Sequence, residues 1–206
     1  LIQRYEKKMV TTTYEVWILC DIIRSLINRR LLLRDGDQVD FDPLYAVNLI
    51  DSIYRGYPIG GITVWATDDL EVFPSDFVGP VMLKNEMKSG SQKIVIKGQK
   101  LIHTLAGLLM VDDDTKRHLP EWDVEFSLET ESSLDGGRYP FSVNKLLDTA
   151  SFLEEEAIMK SIGCNESVLR RADKLASAVF ACNIPVVTVY GADLDTAKKI
   201  ESFLNG

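Results

Sequence analysis

Apolar and polar positions along the chain alternate in short segments of two different periods. From Tyr14 to Asn28, the residues Val16, Leu19, Cys20, Ile22, Ile23, Leu26 and Ile27 recur at three- and four-residue spacings, which predicts one face of a helix. Thr11, Thr12 and Thr13 stand where N-caps belong, and Arg24, Arg29 and Arg30 fall toward the end whose dipole favours cations. The polar stretch from Arg34 to Asp40 predicts a loop. Asp42-Pro43 then predicts a second helix, with Asp42 as N-cap and Leu44, Val47, Leu49, Ile50, Ile53 and Tyr54 as its apolar set. Arg55-Gly56 followed by Tyr57-Pro58 ends it, because glycine accepts a left-handed cap and proline cannot continue the helix.

Gly60-Gly61 leads into a short β-rich run, Ile62 to Ala66. Phe73-Pro74, Gly79-Pro80 and Ser89-Gly90 then break the chain, leaving room for one weak strand at Val81 to Leu83. Lys93 to Ile96 predicts a strand that runs through Lys97-Gly98-Gln99-Lys100 into a helix, Leu101 to Met110. A strand, a glycine turn and a helix in direct succession can present backbone N–H groups to an anion. Asp112, Asp113 and Asp114 close that helix in an acidic turn. Trp122 to Leu128 alternates Val124, Phe126 and Leu128 as a half-buried strand does, and Asp135-Gly136-Gly137 turns toward an extended piece ending near Val143. Asn144 to Ser161 and Ser167 to Cys182 are helical in pattern, split by Gly163. Pro185 to Tyr190 predicts a strand, and Asp193 caps a final helix bearing Leu194, Ala197, Ile200, Phe203 and Leu204. Without repeats, low-complexity tracts or a linker, the pattern predicts one α+β domain over residues 1–206.

Composition narrows the function classes. The 206 residues carry a formal net charge of −8, so a basic nucleic-acid module is disfavoured unless a local patch overrides the global field. Arg24, Arg29, Arg30 and Arg34, and separately Arg170 and Arg171, are the candidates for such a patch, and they read as solvated helix ends. Cys20, Cys164 and Cys182 show neither a pairing pattern nor metal-ligand spacing, which points to a reduced, cytoplasmic setting without a metal site. No apolar run approaches the roughly 20 residues of a membrane-spanning helix. The start at Leu1 without a signal pattern fits an ordered part of a longer protein.

Two stretches carry a resemblance: LIDSIYRGYPIGGITVW at Leu49 to Trp65 and IVIKGQKLIHTL at Ile94 to Leu105. Together they resemble the N-terminal domain of GmrSD-type modification-dependent restriction enzymes, a ParB/sulfiredoxin-like family. The tail from Ile184 to Gly206 and the segment Phe141 to Asp148 are similar to the family as well, so the likeness spans about Tyr14 to Gly206. It implies a ParB/sulfiredoxin-like α+β fold with a small mixed sheet and packed helices. It also implies a nucleoside triphosphate site with Mg, a role in restriction-modification and phage defence, and a partner nuclease domain, of which no HNH-type motif is present here.

The departures from the family pattern fall on its charged positions. The signature DGQQR lands on Lys97, Gly98, Gln99, Lys100 and Leu101, where only Gly98 and Gln99 match. The family acid is Lys97 and its arginine is Leu101, which removes the carboxylate for a divalent ion and the bidentate phosphate fork. His103 replaces the first of two threonines, whereas Thr104 and Leu105 fit, and the expected upstream arginine is missing from Asp35 to Phe41. The resemblance therefore implies a nucleotide-binding set of Gly60, Gly61, Lys97, Gly98, Gln99, Lys100 and Thr104, with binding in place of efficient hydrolysis and no assignable catalytic residue.

The alternatives are a catalytically dead protein-interaction scaffold, and a hydrolase that has rebuilt its acid from Asp35, Asp37 or Asp40. Each candidate also has a plain structural reading. Lys97 to Lys100 is equally a solvated turn, and Tyr57 to Gly61 equally a corner. His103 reads as a hydrogen-bonded core histidine, Asp112 to Asp114 and Glu154 to Glu156 as solvated helix surface, and Cys20 and Cys182 as small core residues. Cys164 is the one candidate reactive thiol.

Overall fold

The computed structural model describes residues 9–36, 40–68, 74–86, 90–134 and 137–205. In chain order the elements are β1 (Thr11–Ile18), α1 (Leu19–Ile27), β2 (Leu31–Leu32), α2 (Pro43–Arg55), β3 (Ile62–Thr67), β4 (Phe77–Val78) and β5 (Val81–Met82). β6 (Gln92–Lys97), α3 (Gln99–Met110), α4 (Asp113–His118), β7 (Glu125–Ser127) and β8 (Pro140–Ser142) follow. The chain closes with α5 (Thr149–Ser161), α6 (Glu166–Ala181), β9 (Asn183–Tyr190) and α7 (Leu194–Asn205). The architecture is α+β. A five-stranded mixed sheet in the order β1-β9-β3-β6-β2 forms its centre, and two small hairpins, β4-β5 and β7-β8, flank it.

Apolar side chains cover both faces of the central sheet. On one face Ile62, Val64, Val95, Ile184 and Val186 meet α1, α2, α3 and α6 in the larger core. On the other, Leu32, Trp65, Ile94, Ile96 and Val189 lie beneath Ala197, Ile200 and Leu204 of α7. The Trp65 indole N–H donates to Ala192 O at 3.0 Å, which fixes the turn that leads into α7. Among the described residues no helix is long and apolar enough to cross a membrane.

The largest departure from the sequence expectation is at the start of the chain. Helix α1 begins at Leu19, and the preceding eight residues are a strand, all paired antiparallel with β9. Thr11, Thr12 and Thr13 therefore cap nothing. The segment TTTYEVWI is β-branched and aromatic, and its partner strand supplies the hydrogen bonds that a helix would have made internally. The three- and four-residue spacing belongs only to Leu19, Ile22, Ile23 and Leu26, which are buried. In place of a side-chain cap, the Leu19 N–H donates to Cys182 O at 2.8 Å.

Other boundaries moved for equally local reasons. Asp112 to Asp114 are exposed just past the end of α3, as expected, but Asp112 also caps α4, accepting from the Thr115 N–H at 2.7 Å. Trp122 sits in a 3-10 turn, Pro120–Trp122, and only Glu125–Ser127 pairs as strand. The expected helix at Asn144 starts at Thr149, where Asp148 accepts from the Ser151 N–H. Asp42 and Gly56 cap α2 as expected: Asp42 accepts from the Tyr45 N–H at 3.0 Å, and Gly56 is left-handed at φ 70°. The turn residues Phe73, Ser89, Asp135 and Gly136, the candidate acid Asp37, and Gly206 lie outside the described residues.

Two contacts explain why residues that resemble a functional motif are needed structurally. Asp51, the acid within LIDSI, is buried and accepts from Ser132 Oγ and the Ser133 N–H, both at 2.7 Å. Tyr54 donates to Glu131, whose carboxylate also meets Arg171 Nε at 3.2 Å, so α2 and α6 clamp the segment after β7. In α3, a Cβ on Gly107 would overlap the indole of Trp122, which packs against the helix there. His103, on the same helix, accepts the Gly79 N–H at Nδ1 at 2.8 Å and is buried, a structural role.

Substituting Gly107→Ala forces Trp122 out of its seat and should destabilise the fold by about 1–3 kcal/mol, the usual range for overpacking. Asp51→Ala leaves the buried Ser132 hydroxyl and the partly buried Ser133 N–H without their acceptor and should cost about 1–3 kcal/mol. Chemical denaturation of the two variants beside the unaltered chain measures both.

Candidate functional site

Strand β6 ends at Lys97, and the chain turns into α3 through Gly98 at φ 87°. That left-handed conformation is strained for any residue with a Cβ. Gly98 is also sterically confined, since a Cβ there would lie 2.9 Å from Gly61 O and 2.9 Å from Ile62 Cγ2. The two glycine segments adjoin at this point. No side chain caps α3, whereas Asp42, Asp112, Asp148 and Asn165 cap α2, α4, α5 and α6.

The polar groups around this turn come from the turn itself and from three distant segments. Gln99 Nε2 donates to Glu201 Oε1 of α7 at 3.3 Å, and Arg34, just after β2, pairs with the same carboxylate oxygen. Asn205 Nδ2 donates to Ile96 O at 3.1 Å, which seats the end of α7 over β6. Lys100 Nζ lies 2.8 Å from Asp42 Oδ2 and 4.5 Å from the centroid of the Tyr45 ring. The Lys100 ammonium, then the Tyr45 N–H, hold the Asp42 carboxyl below its ordinary range. Lys97 is exposed at the strand end.

The structure brings together Gly61, Lys97, Gly98, Gln99 and Lys100 of the residues that the resemblance implied. Gly60 sits one residue away, open to solvent, and lines a groove of about 790 Å³ with Tyr57, Pro58, Ile59, Lys174 and Pro185. Thr104 does not join them: it is 5% exposed, and the α3 face on which it lies packs into the core. Arg34, Asp42, Tyr45, Glu201 and Asn205 were not foreseen as part of the site. Only Arg34 carried a signal, as a member of a possible basic edge, and the remaining partners lie up to 109 residues away in sequence.

Four members of the basic edges, Arg24, Arg29, Arg34 and Arg171, are engaged within the fold, while Arg30 and Arg170 are exposed. Arg29 is buried and donates to Ser75 O at 2.7 Å and Asp76 Oδ1 at 2.9 Å. Arg24 pairs with Asp21, and Arg171 donates to the carbonyls of Leu128 and Glu129. Burial pushes the Cys164 thiol up, and the Cys182 thiol up to about 11, which suppresses thiolate reactivity. Among the described residues no group of three or more His, Cys, Asp or Glu could hold a metal ion. Of the rebuilt-acid candidates, Asp35 and Asp40 are exposed and Asp37 lies outside the described residues.

No protein-family model matches this chain, and no curated protein matches it. The chemistry of the site therefore rests on its geometry. A side-chain amide from the first residue of α3 and a guanidinium meet on one carboxylate oxygen, Glu201 Oε1, and Lys97 and Lys100 belong to the same turn.

The depressed Asp42 carboxyl fixes a sign for acid dependence. A carboxylate lower in the folded state contributes stability above the unfolded value of about 3.9, and loses it as pH falls through the folded value. Acidification below about pH 4 should therefore lower the melting temperature. Asp42→Asn, which keeps the cap acceptor and removes the charge pair, should flatten part of that fall. Thermal melts of both proteins from neutral pH to pH 3 test it.

Proposed function

We propose that this domain binds a nucleoside polyphosphate, with its phosphates at the N-terminus of α3, and acts as a nucleotide-responsive regulatory module without efficient hydrolysis. The observation that carries the reading is the shared grip of Gln99 and Arg34 on a single carboxylate oxygen of Glu201. A carboxylate held by an amide and a guanidinium marks where a phosphate oxygen would sit, next to the first residue of α3. Arg34 reaches the site from β2 and supplies a guanidinium near the motif, where Leu101 cannot.

In this reading Lys97 and Lys100 act as point charges on the phosphates, and the groove lined by Gly60 and Tyr57 receives the nucleoside. The ammonium at position 97 replaces the acid that would anchor a divalent ion, so turnover is not part of the function. Kinship with the N-terminal domain of GmrSD-type systems, and a ParB/sulfiredoxin-like fold, fit the same reading. A nuclease domain or partner protein is then the receiver of the nucleotide signal.

A thermal-shift screen with each nucleoside triphosphate, with and without magnesium, tests the proposal. Ligand at 100 times its dissociation constant adds about 2.7 kcal/mol of stability, a readily measured rise in melting temperature. The rise should vanish in the Lys97→Ala, Lys100→Ala double variant. It should grow in Glu201→Gln, which removes the competing carboxylate. No shift with any nucleotide would leave a domain that works by docking protein.

A further inference from the structure

Strand β1 is the outer strand of the central sheet, and its free edge pairs with no described strand. Its character is unusual for an edge. Seven of its eight residues are exposed, yet Glu15 is its only charged residue. It has no lysine, proline, glycine or bulge, the devices that ordinarily keep an open edge from pairing. Tyr14 is 79% exposed and Val16 66%, and Ile18 on the same face is exposed as well.

The backbone of β1 shows which groups face outward. The Leu19 N–H bonds to Cys182 O, and Ile18 lies opposite Asn183, so the pair at Leu19 and Cys182 continues the antiparallel register. Hydrogen-bonded and non-bonded pairs alternate along such a ladder. The odd-numbered residues of β1 therefore turn their N–H and C=O groups toward β9. Thr12, Tyr14, Val16 and Ile18 turn theirs to the free edge.

We infer that β1 is a self-pairing edge: a second copy of this chain adds its own β1 antiparallel across a two-fold axis and continues the sheet. The argument for a second copy is register and charge. A two-fold axis perpendicular to the sheet leaves each residue on its own face, so only pairs of equal parity can meet, and the axis must pass through a residue pair. The two registers that overlap Thr11–Ile18 most fully pass through Tyr14 or through Glu15. The second sets two carboxylates directly opposite and is repelled. The first joins Tyr14 to its copy, Thr12 to Val16, and Thr13 to Glu15, with no like charges facing. It also uses every outward N–H and C=O from Thr12 to Val16. The strand is thus complementary to itself in one register, with an aromatic pair at the axis.

Light scattering of the full chain over a concentration series tests this. The expected result is a mass that rises toward twice the monomer value. Tyr14→Lys, which sets two ammonium groups across the axis on an already exposed position, should return it to the monomer with an unchanged circular-dichroism melt. Tyr14→Cys with oxidised glutathione should give a covalent dimer whose bridge joins the two introduced thiols, by peptide mass spectrometry. Glu15→Cys, facing Thr13 of the other copy, should give far less. A monomer at every concentration overturns the inference. So does a dimer that survives Tyr14→Lys, or cross-linking that favours position 15 over position 14.

Discussion

Three neighbouring strands of the central sheet approach each other at one end with no room for side chains, and the site is built on that constraint. A Cβ on Gly61 would lie 2.8 Å from Pro185 O, and a Cβ on Gly98 would lie 2.9 Å from Gly61 O. β9, β3 and β6 are therefore locked backbone to backbone in that row. Gly98 is confined twice, by contact and by its left-handed dihedral, and both requirements fix the direction in which α3 leaves the sheet. Helix α3 in turn seats His103 against Gly79 and Gly107 against Trp122, so the same turn that aims the helix N-terminus outward also organises half the core.

Charge is distributed around this frame in closed pairs. Arg34 with Glu201 and Lys100 with Asp42 are interactions between elements far apart in sequence, and each joins the α3 turn to another part of the fold. Lys100 with Asp42 is half exposed, and a pair of that kind adds little to stability, whereas Arg34 and Glu201 are mostly buried. Their value to a binding site is different: the cations are already oriented, and an incoming anion would take the place of one carboxylate. Because α7 carries Glu201 and anchors Asn205 on β6, such an exchange would be felt along the whole final helix. That gives a route from ligand to surface in a domain with no metal cluster among its described residues.

Much of this was legible in the chain itself. Proline after aspartate, glycine before Tyr57-Pro58 and aspartate before Leu194 marked helix ends through local chemistry, and the structure has them there. β1 was misread because its alternating Tyr14, Val16 and Ile18 run straight into a true helical stripe, and only the distant β9 decides between the two periods. Asp51 illustrates the same limit within the site motif. Its spacing resembles a family signature, but its role as acceptor for Ser132 and Ser133 depends on a loop about 80 residues later. Glu201 had no signal at all, since a carboxylate on an amphipathic helix looks solvated until the sheet beneath it is known.

The central claim is that the α3 N-terminus and its surrounding cations receive phosphate. Titrating the isotope-labelled chain with inorganic triphosphate, and following backbone amides and arginine Nε–H signals by NMR, addresses it most directly. The account predicts concentration-dependent shifts concentrated at Gly98, Gln99, Lys100 and Leu101, with the Arg34 side chain moving as Glu201 is displaced. Unmoved amides at those four positions, at concentrations that shift signals elsewhere, would contradict it.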